Sequence, residues 1–348
     1  MGKARFAVLG VVALSWVYGA AQISAIGKPV RAEDLSHPLA APLSPDHPAA
    51  QADPGWLTAR PMPLRERNAH PGPLRSHTVE FDFETGRPRH VLESLFLDPA
   101  SNVSEGYAGA TPQPPSTGGT KDWHIVIGTD GRRRVENAGL FPWRTIAKLR
   151  MRFNGQDYIG SGILIANKYV LTAGHNVYDR TLGGYADRIE VIPGMTGTFA
   201  PYGKAIAKRM RTFSGWTNNE SSAWDMALIT LDREIGKSTG YLGYANYDNA
   251  QLNRAYVTIA GYPFDRDNGT RMWFMSGLLL RRYPHELNYS IDTAGGQSGS
   301  GIWRVVNGKR YVIGVHAYGV SANPPYNGGT RIEATKFNAI KNWIASGS

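Results

Sequence analysis

Cysteine is absent from all 348 residues. The chain can form no disulfide, offers no thiol nucleophile and holds no zinc through thiolates. Export would therefore leave the fold dependent on packing and hydrogen bonds alone. No HExxH helix is present, so a zincin-type centre has no support, and no lysine follows the glycine-rich turn at 295–301, which argues against a phosphate loop. Acidic residues are scarce: 28 Asp and Glu stand against 38 Lys and Arg, a formal charge of +10. The excess is scattered, with clusters as short as Arg132-Arg133-Arg134, and reads as a solvated basic surface, not a nucleic-acid interface. No metal, no cofactor and no nucleic-acid partner is expected.

Long hydrophobic runs are also missing, except at the start. Lys3 and Arg5 precede an apolar run over 6–17, followed by Gly19, Ala20 and Ala21. That run is short for a membrane span and has the charge and small-residue flanks of a secretory signal. The expectation is a signal peptide over 1–25, cleaved after Ala21 or Ala25, with the product secreted and without stable membrane association.

From residue 26 to about 124 the composition turns to Pro, Ala, Ser and charge, as in Ser44-Pro45, His47-Pro48 and Pro61-Met62-Pro63. Such a stretch buries too little apolar surface to offset its ordering entropy, so it reads as a weakly structured propeptide. Its most strand-like pieces are 78–83 and 91–97. Past Trp123, short runs of Val, Ile, Tyr and Leu alternate with Gly, Asn, Asp and Pro, the pattern of many strands joined by turns. Strands are predicted at 145–153, 158–165, 169–172, 188–192, 205–212, 226–231, 256–259, 272–280, 301–305 and 311–315. Ala334, Phe337, Ile340 and Ile344 recur at helical spacing and predict a C-terminal helix. The fold class is all-β, with residues 125–348 forming two packed antiparallel Greek-key barrels.

Three motifs carry chemistry. His175 ends Leu171-Thr172-Ala173-Gly174-His175, where small residues after an apolar strand present an imidazole at the strand end. Asp225 lies in Trp224-Asp225-Met226-Ala227-Leu228, at the entrance of another apolar strand, where a carboxylate needs a partner. Asp232, at the far end of that strand, competes for the role but suits a turn cap better. Ser298 sits in Gly295-Gly296-Gln297-Ser298-Gly299-Ser300. A histidine that takes the serine proton and a carboxylate that orients the histidine make acyl transfer feasible. The order His, Asp, Ser is that of the chymotrypsin-type double barrel, whereas an α/β-hydrolase places histidine last and needs a glycine where Ser300 stands. Gly296 can take backbone angles closed to other residues, letting its N–H converge with that of Ser298 as an oxyanion hole.

The chain from residue 125 resembles a trypsin-like serine protease, and within that group the V8-like, or glutamyl endopeptidase, family. The residues that carry the resemblance are Thr172-Ala173-Gly174-His175, Asp225-Met226-Ala227-Leu228, 295–301, Gly314-Val315-His316-Ala317-Tyr318-Gly319 and Ile125-Val126-Ile127-Gly128. The resemblance implies a triad of His175, Asp225 and Ser298, a mature N-terminus near Ile125 that approaches the substrate pocket, and an activating protease. It departs from trypsins at Gln297, which is uncharged, so the trypsin activation pair with a new N-terminal amine cannot form. It further implies that His316 and Thr293 line a pocket for a glutamate before the scissile bond, and that Ala317, Tyr318 and Gly319 pair with the substrate backbone. Asp292 keeps an alternative open, because six residues before the serine is where trypsins bind Arg or Lys. Relaxed preference, ester hydrolysis and a protease-shaped binding protein are the remaining alternatives. The expected product is a monomeric secreted endopeptidase acting on proteins or peptides.

Overall fold

The computed structural model describes residues 42–51, 59–62, 76–91, 126–320 and 325–346. The predicted signal, residues 92–97 and Ile125 lie outside these.

Three strands precede the predicted protease unit: β1 (Arg60–Pro61), β2 (Thr78–Asp82) and β3 (Arg87–Val91). After β4 (Arg133–Arg134) come β5 (Ile146–Phe153), β6 (Gln156–Ala166), β7 (Tyr169–Thr172), the short β8 (Tyr178–Asp179) and β9 (Gly184–Tyr185), then β10 (Arg188–Pro193), β11 (Ala205–Phe213) and β12 (Ala227–Leu231). Strands β5, β6, β7, β12, β11 and β10 pair in that order, and the β10–β11 pairing closes them into a six-stranded barrel. The second barrel follows: β13 (Gly243–Tyr244), β14 (Tyr256–Gly261), β15 (Trp273–Arg282), β16 (Glu286–Tyr289), β17 (Gly301–Val306), β18 (Lys309–Val320) and β19 (Tyr326–Arg331). Here β17, β14, β15, β16, β19 and β18 close through the β18–β19 pairing. Helices α1 (Ser214–Thr217) and α2 (Gly236–Thr239) are single turns, and α3 (Ala334–Ala345) is the expected C-terminal helix.

Period-two patterning explains the barrels. On β5, Ala147, Leu149, Met151 and Phe153 point into the first barrel, and on β12 Ala227, Ile229 and Leu231 do the same. Leu228 faces the opposite way, into a core between the barrels that also takes Leu171, Trp216, Trp224, Tyr262, Val315 and Trp343. Val257, Ile259, Leu287, Tyr289, Ile302 and Ile313 fill the second barrel. Each fully buried side chain of this kind contributes about 1.5–3 kcal/mol, so three contiguous cores suffice without disulfides.

All ten predicted strands are present, 169–172 with its predicted bounds and the other nine with shifted ends, while β16, β19 and the two-residue β4, β8, β9 and β13 are additional. The reason for β19 is its sequence, Tyr326-Asn327-Gly328-Gly329, which reads as a turn. The ring of Tyr318 and the carbonyl of Val315 press on Gly328 and Gly329, so the strand tolerates no side chain there. Strand β18 also runs to Val320, five residues past its expected end.

The leader is partly built into the first barrel. β2 pairs with β11 through Thr78 to Phe213 and Asp82 to Arg209, and β3 pairs with β2. Buried Glu80 is held by Arg211 at 2.6 Å and by Arg89. These strands were only partly legible, because their apolar content is low and their charges are satisfied by residues far along the chain.

Candidate active site

The site lies where the two barrels meet. Strand β7 ends at Thr172, and after extended Ala173 the chain enters a single turn over Gly174–Asn176 that carries His175. Gly174 is required there by close approach: a Cβ would stand 2.9 Å from the Trp216 ring and 3.0 Å from Asp225 Oδ1. Asp225 closes the turn Ser222–Trp224 just before β12. Its carboxylate accepts the His175 backbone amide on Oδ1 at 2.9 Å and faces His175 Nδ1 from Oδ2 at 2.8 Å. The Asp225 main-chain carbonyl accepts the Thr330 hydroxyl at 2.9 Å, so the second barrel braces the carboxylate-bearing turn. Asp232, the competing carboxylate, instead accepts the amide of Ile206 at 2.9 Å.

Ser298 is joined to the histidine turn across the barrel boundary. Its carbonyl accepts Ser161 N from β6 at 2.8 Å and the Asn176 side chain at 3.0 Å. Asn176 also donates to Thr172 Oγ1, tying the residue after the histidine to the residue that ends β7. Among the described residues neither Ser298 Oγ nor His175 Nε2 has a hydrogen-bond partner, and both atoms are buried. In the serine turn the amides of Gln297, Gly299 and Ser300 go to the carbonyls of Ala294, His316 and Gln297. The amides of Gly296 and Ser298 have no partner among the described residues. Gly296 has φ +94°, and a Cβ there would fall against the carbonyl of Tyr262, so only glycine fits. Ser161 fixes the turn by donating to the Gly296 carbonyl at 2.8 Å while accepting the Tyr262 amide.

Gln297 faces a buried guanidinium in the space where an aspartate would meet an amine in a trypsin. Arg132, its side chain fully buried, donates to Asp130 at 2.8 and 3.0 Å, to Asp265 at 3.0 Å and to Gln297 Oε1 at 3.4 Å. Gln297 Oε1 in turn accepts the Ala294 amide at 3.0 Å. Hydrogen bonds from Arg132 hold the Asp130 carboxyl well below the usual range against the opposing effect of burial. Sequence reading missed this network, although its only local signal, Asp130 two residues before Arg132, was present.

The pocket candidates separate sharply. Asp292 is committed: Oδ1 accepts Ile127 N at 2.7 Å and Oδ2 accepts Gly131 N at 2.8 Å. Its two oxygens thus tie down the first described residues of the protease unit. The Thr293 side chain makes no hydrogen bond among the described residues, and the residue is buried. His316 is fully buried, with Nδ1 2.7 Å from the Tyr289 hydroxyl and 3.1 Å from Gly328 O, while Nε2 has no partner among the described residues. Burial pushes the imidazole down to about 3, and it pushes the Tyr289 phenol up, so both are neutral near pH 7. Tyr289 escaped the sequence reading because β16 did. Tyr318 and Gly319 pair with β19 on one edge of β18, with a bulge that skips Ala317. The opposite edge pairs with β17 only as far as Val315.

Comparison with known proteins accords with this geometry. The trypsin family model matches residues 131–344. The chain belongs to the trypsin family. A glutamyl endopeptidase of Bacillus licheniformis is 33% identical over 292 residues, covering 82% of this chain and 89% of that protein. A glutamyl endopeptidase of Staphylococcus aureus is 24% identical over 264 residues, covering 72% of each. A Bacillus subtilis protein named extracellular metalloprotease is 31% identical over 221 residues, 63% of this chain and 69% of its own. Among the described residues of this trypsin-family chain, no three His, Cys, Asp or Glu side chains converge on a metal-sized site. A solved Glu endopeptidase in complex with MPD aligns at TM-score 0.57 and 34% identity over 64% of this chain and the whole of that one. This trypsin-family protein is a serine-type endopeptidase on two six-stranded barrels, with proteins or peptides as substrates.

Proposed function

We propose that the chain is a secreted precursor of an endopeptidase that uses His175, Asp225 and Ser298 as its triad and cleaves after glutamate, and aspartate by the same chemistry. The observation that carries the triad is the doubly anchored His175–Asp225 pair beside two unpartnered amides. With the proton of Nδ1 given to Asp225 Oδ2, Nε2 is the basic nitrogen and takes the Ser298 proton as Oγ attacks the scissile carbonyl. The amides of Gly296 and Ser298 hold the oxyanion of the tetrahedral intermediate. The imidazolium then protonates the leaving amine, and a water activated by the same nitrogen hydrolyses the acyl-enzyme.

The preference for an acidic residue rests on His316. In the tautomer with the proton on Nε2, the Tyr289 hydroxyl donates to Nδ1 and Nε2 can donate to a carboxylate, so an arriving carboxylate selects this form over the one in which Nδ1–H donates to Gly328 O. Asp292 already spends both oxygens on backbone amides, which disfavours its use for a cationic side chain. The same bonds support a mature N-terminus close to the pocket. The chain is read as a monomer, with the leader removed by an activating protease. Among the described residues no helix is long and apolar enough to cross a membrane.

Peptides that differ only at the residue before the scissile bond test the preference. Cleavage after Glu in strong excess over Gln and Arg is expected, and His316→Val should erase the excess mainly through KM. Hydrolysis after Arg alone would overturn the acidic preference and leave the protease intact.

A further inference from the structure

Residues 59–62 of the leader have no role in the chemistry above, yet they lie beside it. Ser298 is flanked by two strands. On one side Gly299 N donates to His316 O and His316 N donates to Ser300 O; on the other, Ser161 N of β6 donates to Ser298 O. If the acyl half of a substrate pairs along β18 past Val315, where β17 ends, the amine half must leave toward β6. β7 covers that edge of β6 only from Ile163 onward. Just before that point the edge carries β1, with Arg60 opposite Tyr158 and Pro61 opposite Ile159 in parallel register. The Met62 amide closes the ladder on Ile159 O at 3.0 Å. Pro61 has no N–H to offer, which suits a strand on an edge.

The seat is built, not incidental. Ala59 and Met62 are 3% and 1% exposed. Ala59 packs with Ile159 and Phe264 in a small apolar cluster of its own, and Met62 joins the core of the first barrel. The Pro61 ring lies 3.1 Å from where a Cβ on Gly295 would stand, and the Ile159 side chain 3.3 Å from where one on Gly296 would. The Phe264 amide donates to Gly295 O at 2.7 Å. The segment therefore packs on the residues that lead into the oxyanion turn, while Ser298 Oγ and His175 Nε2 are closed from solvent.

We propose that residues 59–62 are a built-in peptide ligand of the leaving-group side of the groove, and that the edge of β6 at Tyr158 and Ile159, walled by Gly295 and Phe264, is a surface for extended apolar peptide. The proposal rests on the reading of Ser298 as nucleophile. A two-residue ladder with one buried methionine is weak in free solution, but covalent tethering makes it intramolecular and raises its effective concentration. The β2 and β3 hairpin, paired to β11, holds the tether on the barrel. Removing the leader converts the contact to a bimolecular one and opens the site.

The experiment follows labelling of Ser298 by a small fluorophosphonate in the full chain and after leader removal by a second protease. Burial of a methionine corresponds to about tenfold or more in an equilibrium, so the full chain should label about tenfold or more slowly than its processed product. Met62→Asp in the full chain should restore the processed rate, and the processed forms of both should be indistinguishable. Pro61→Gly, which removes the ring on Gly295 and buries no charge, should accelerate labelling even if Met62→Asp fails to fold. Equal rates for wild-type full chain and processed enzyme would overturn the proposal, as would variants that stay as slow as wild type. No labelling of processed enzyme would instead overturn Ser298 as nucleophile.

Discussion

The first barrel contributes to the site through side chains locked to each other, and the second contributes mainly through backbone. His175 and Asp225 sit at the end of one first-barrel strand and the entrance of another, and the two carboxylate oxygens of Asp225 hold the backbone and ring nitrogens of His175. In the second barrel the serine turn and its two amides without partners among the described residues depend on chain path, with glycine at the tightest point. The barrels also handle buried polarity differently. The first buries Arg150 beside Glu190 and also buries Lys148, with burial and then the neighbouring Arg150 pushing the Lys148 ammonium down to about 7. The second buries a neutral His316–Tyr289 pair whose second ring nitrogen stays available. A barrel that holds an acid–base pair can lock its groups. A barrel that receives substrate must leave donors unsatisfied until substrate arrives.

The largest expected effect breaks the division of labour itself. Ser298→Ala from one barrel and Asp225→Asn from the other should each lower kcat by about 10⁴-fold or more while leaving the fold intact, and the double variant should lose little beyond either. Steady-state kinetics on a Glu-containing peptide checks this; retention of more than a few per cent by Ser298→Ala would remove it as nucleophile. Next, Gly296→Ala forces a Cβ toward the Tyr262 carbonyl at φ +94° and should lower kcat by about 10²–10³-fold with a small change in KM.

Arg132→Gln tests whether the serine turn depends on its buried cation. It takes the buried guanidinium from Asp265, leaves Asp130 with Arg266 alone and Gln297 with only the Ala294 amide, so urea unfolding should show a loss of roughly 3–5 kcal/mol. kcat should fall more than KM changes, because Gln297 precedes the nucleophile.

The smallest effect concerns pH and the second barrel's neutral imidazole. His316 is pushed down from 6.5 to about 3 by burial. Between these values the unfolded chain binds the extra proton, so stability rises with pH and is lost as pH falls below about 6.5. Urea midpoints in acid and at neutrality should differ less in His316→Gln than in wild type; an unchanged difference would show that His316 does not sense acid.

Much of the fold was legible because inward and outward residues alternate along β5, β12 and their neighbours, and that period is a local property. β19 was not legible, because Gly328 and Gly329 are there to clear Tyr318 and Val315, which only the fold brings against them. The candidate triad was readable from strand-end and turn contexts. The commitment of Asp292 to Ile127 and Gly131 was not, since a carboxylate's role depends on what approaches it.

By itself, the sequence determined an all-β chain without disulfides, a His, Asp, Ser order and a glycine-rich serine turn, all written in composition or short motifs. Tertiary structure alone decided that Asp292 is spent on Ile127 and Gly131, that Arg132 stands behind Gln297, that Tyr289 backs His316, and that Pro61 and Met62 lie against β6. The physical reason is distance. Charge pairing, hydrogen bonding and burial act over a few ångströms in space, and each of these pairs joins residues that chain order keeps far apart.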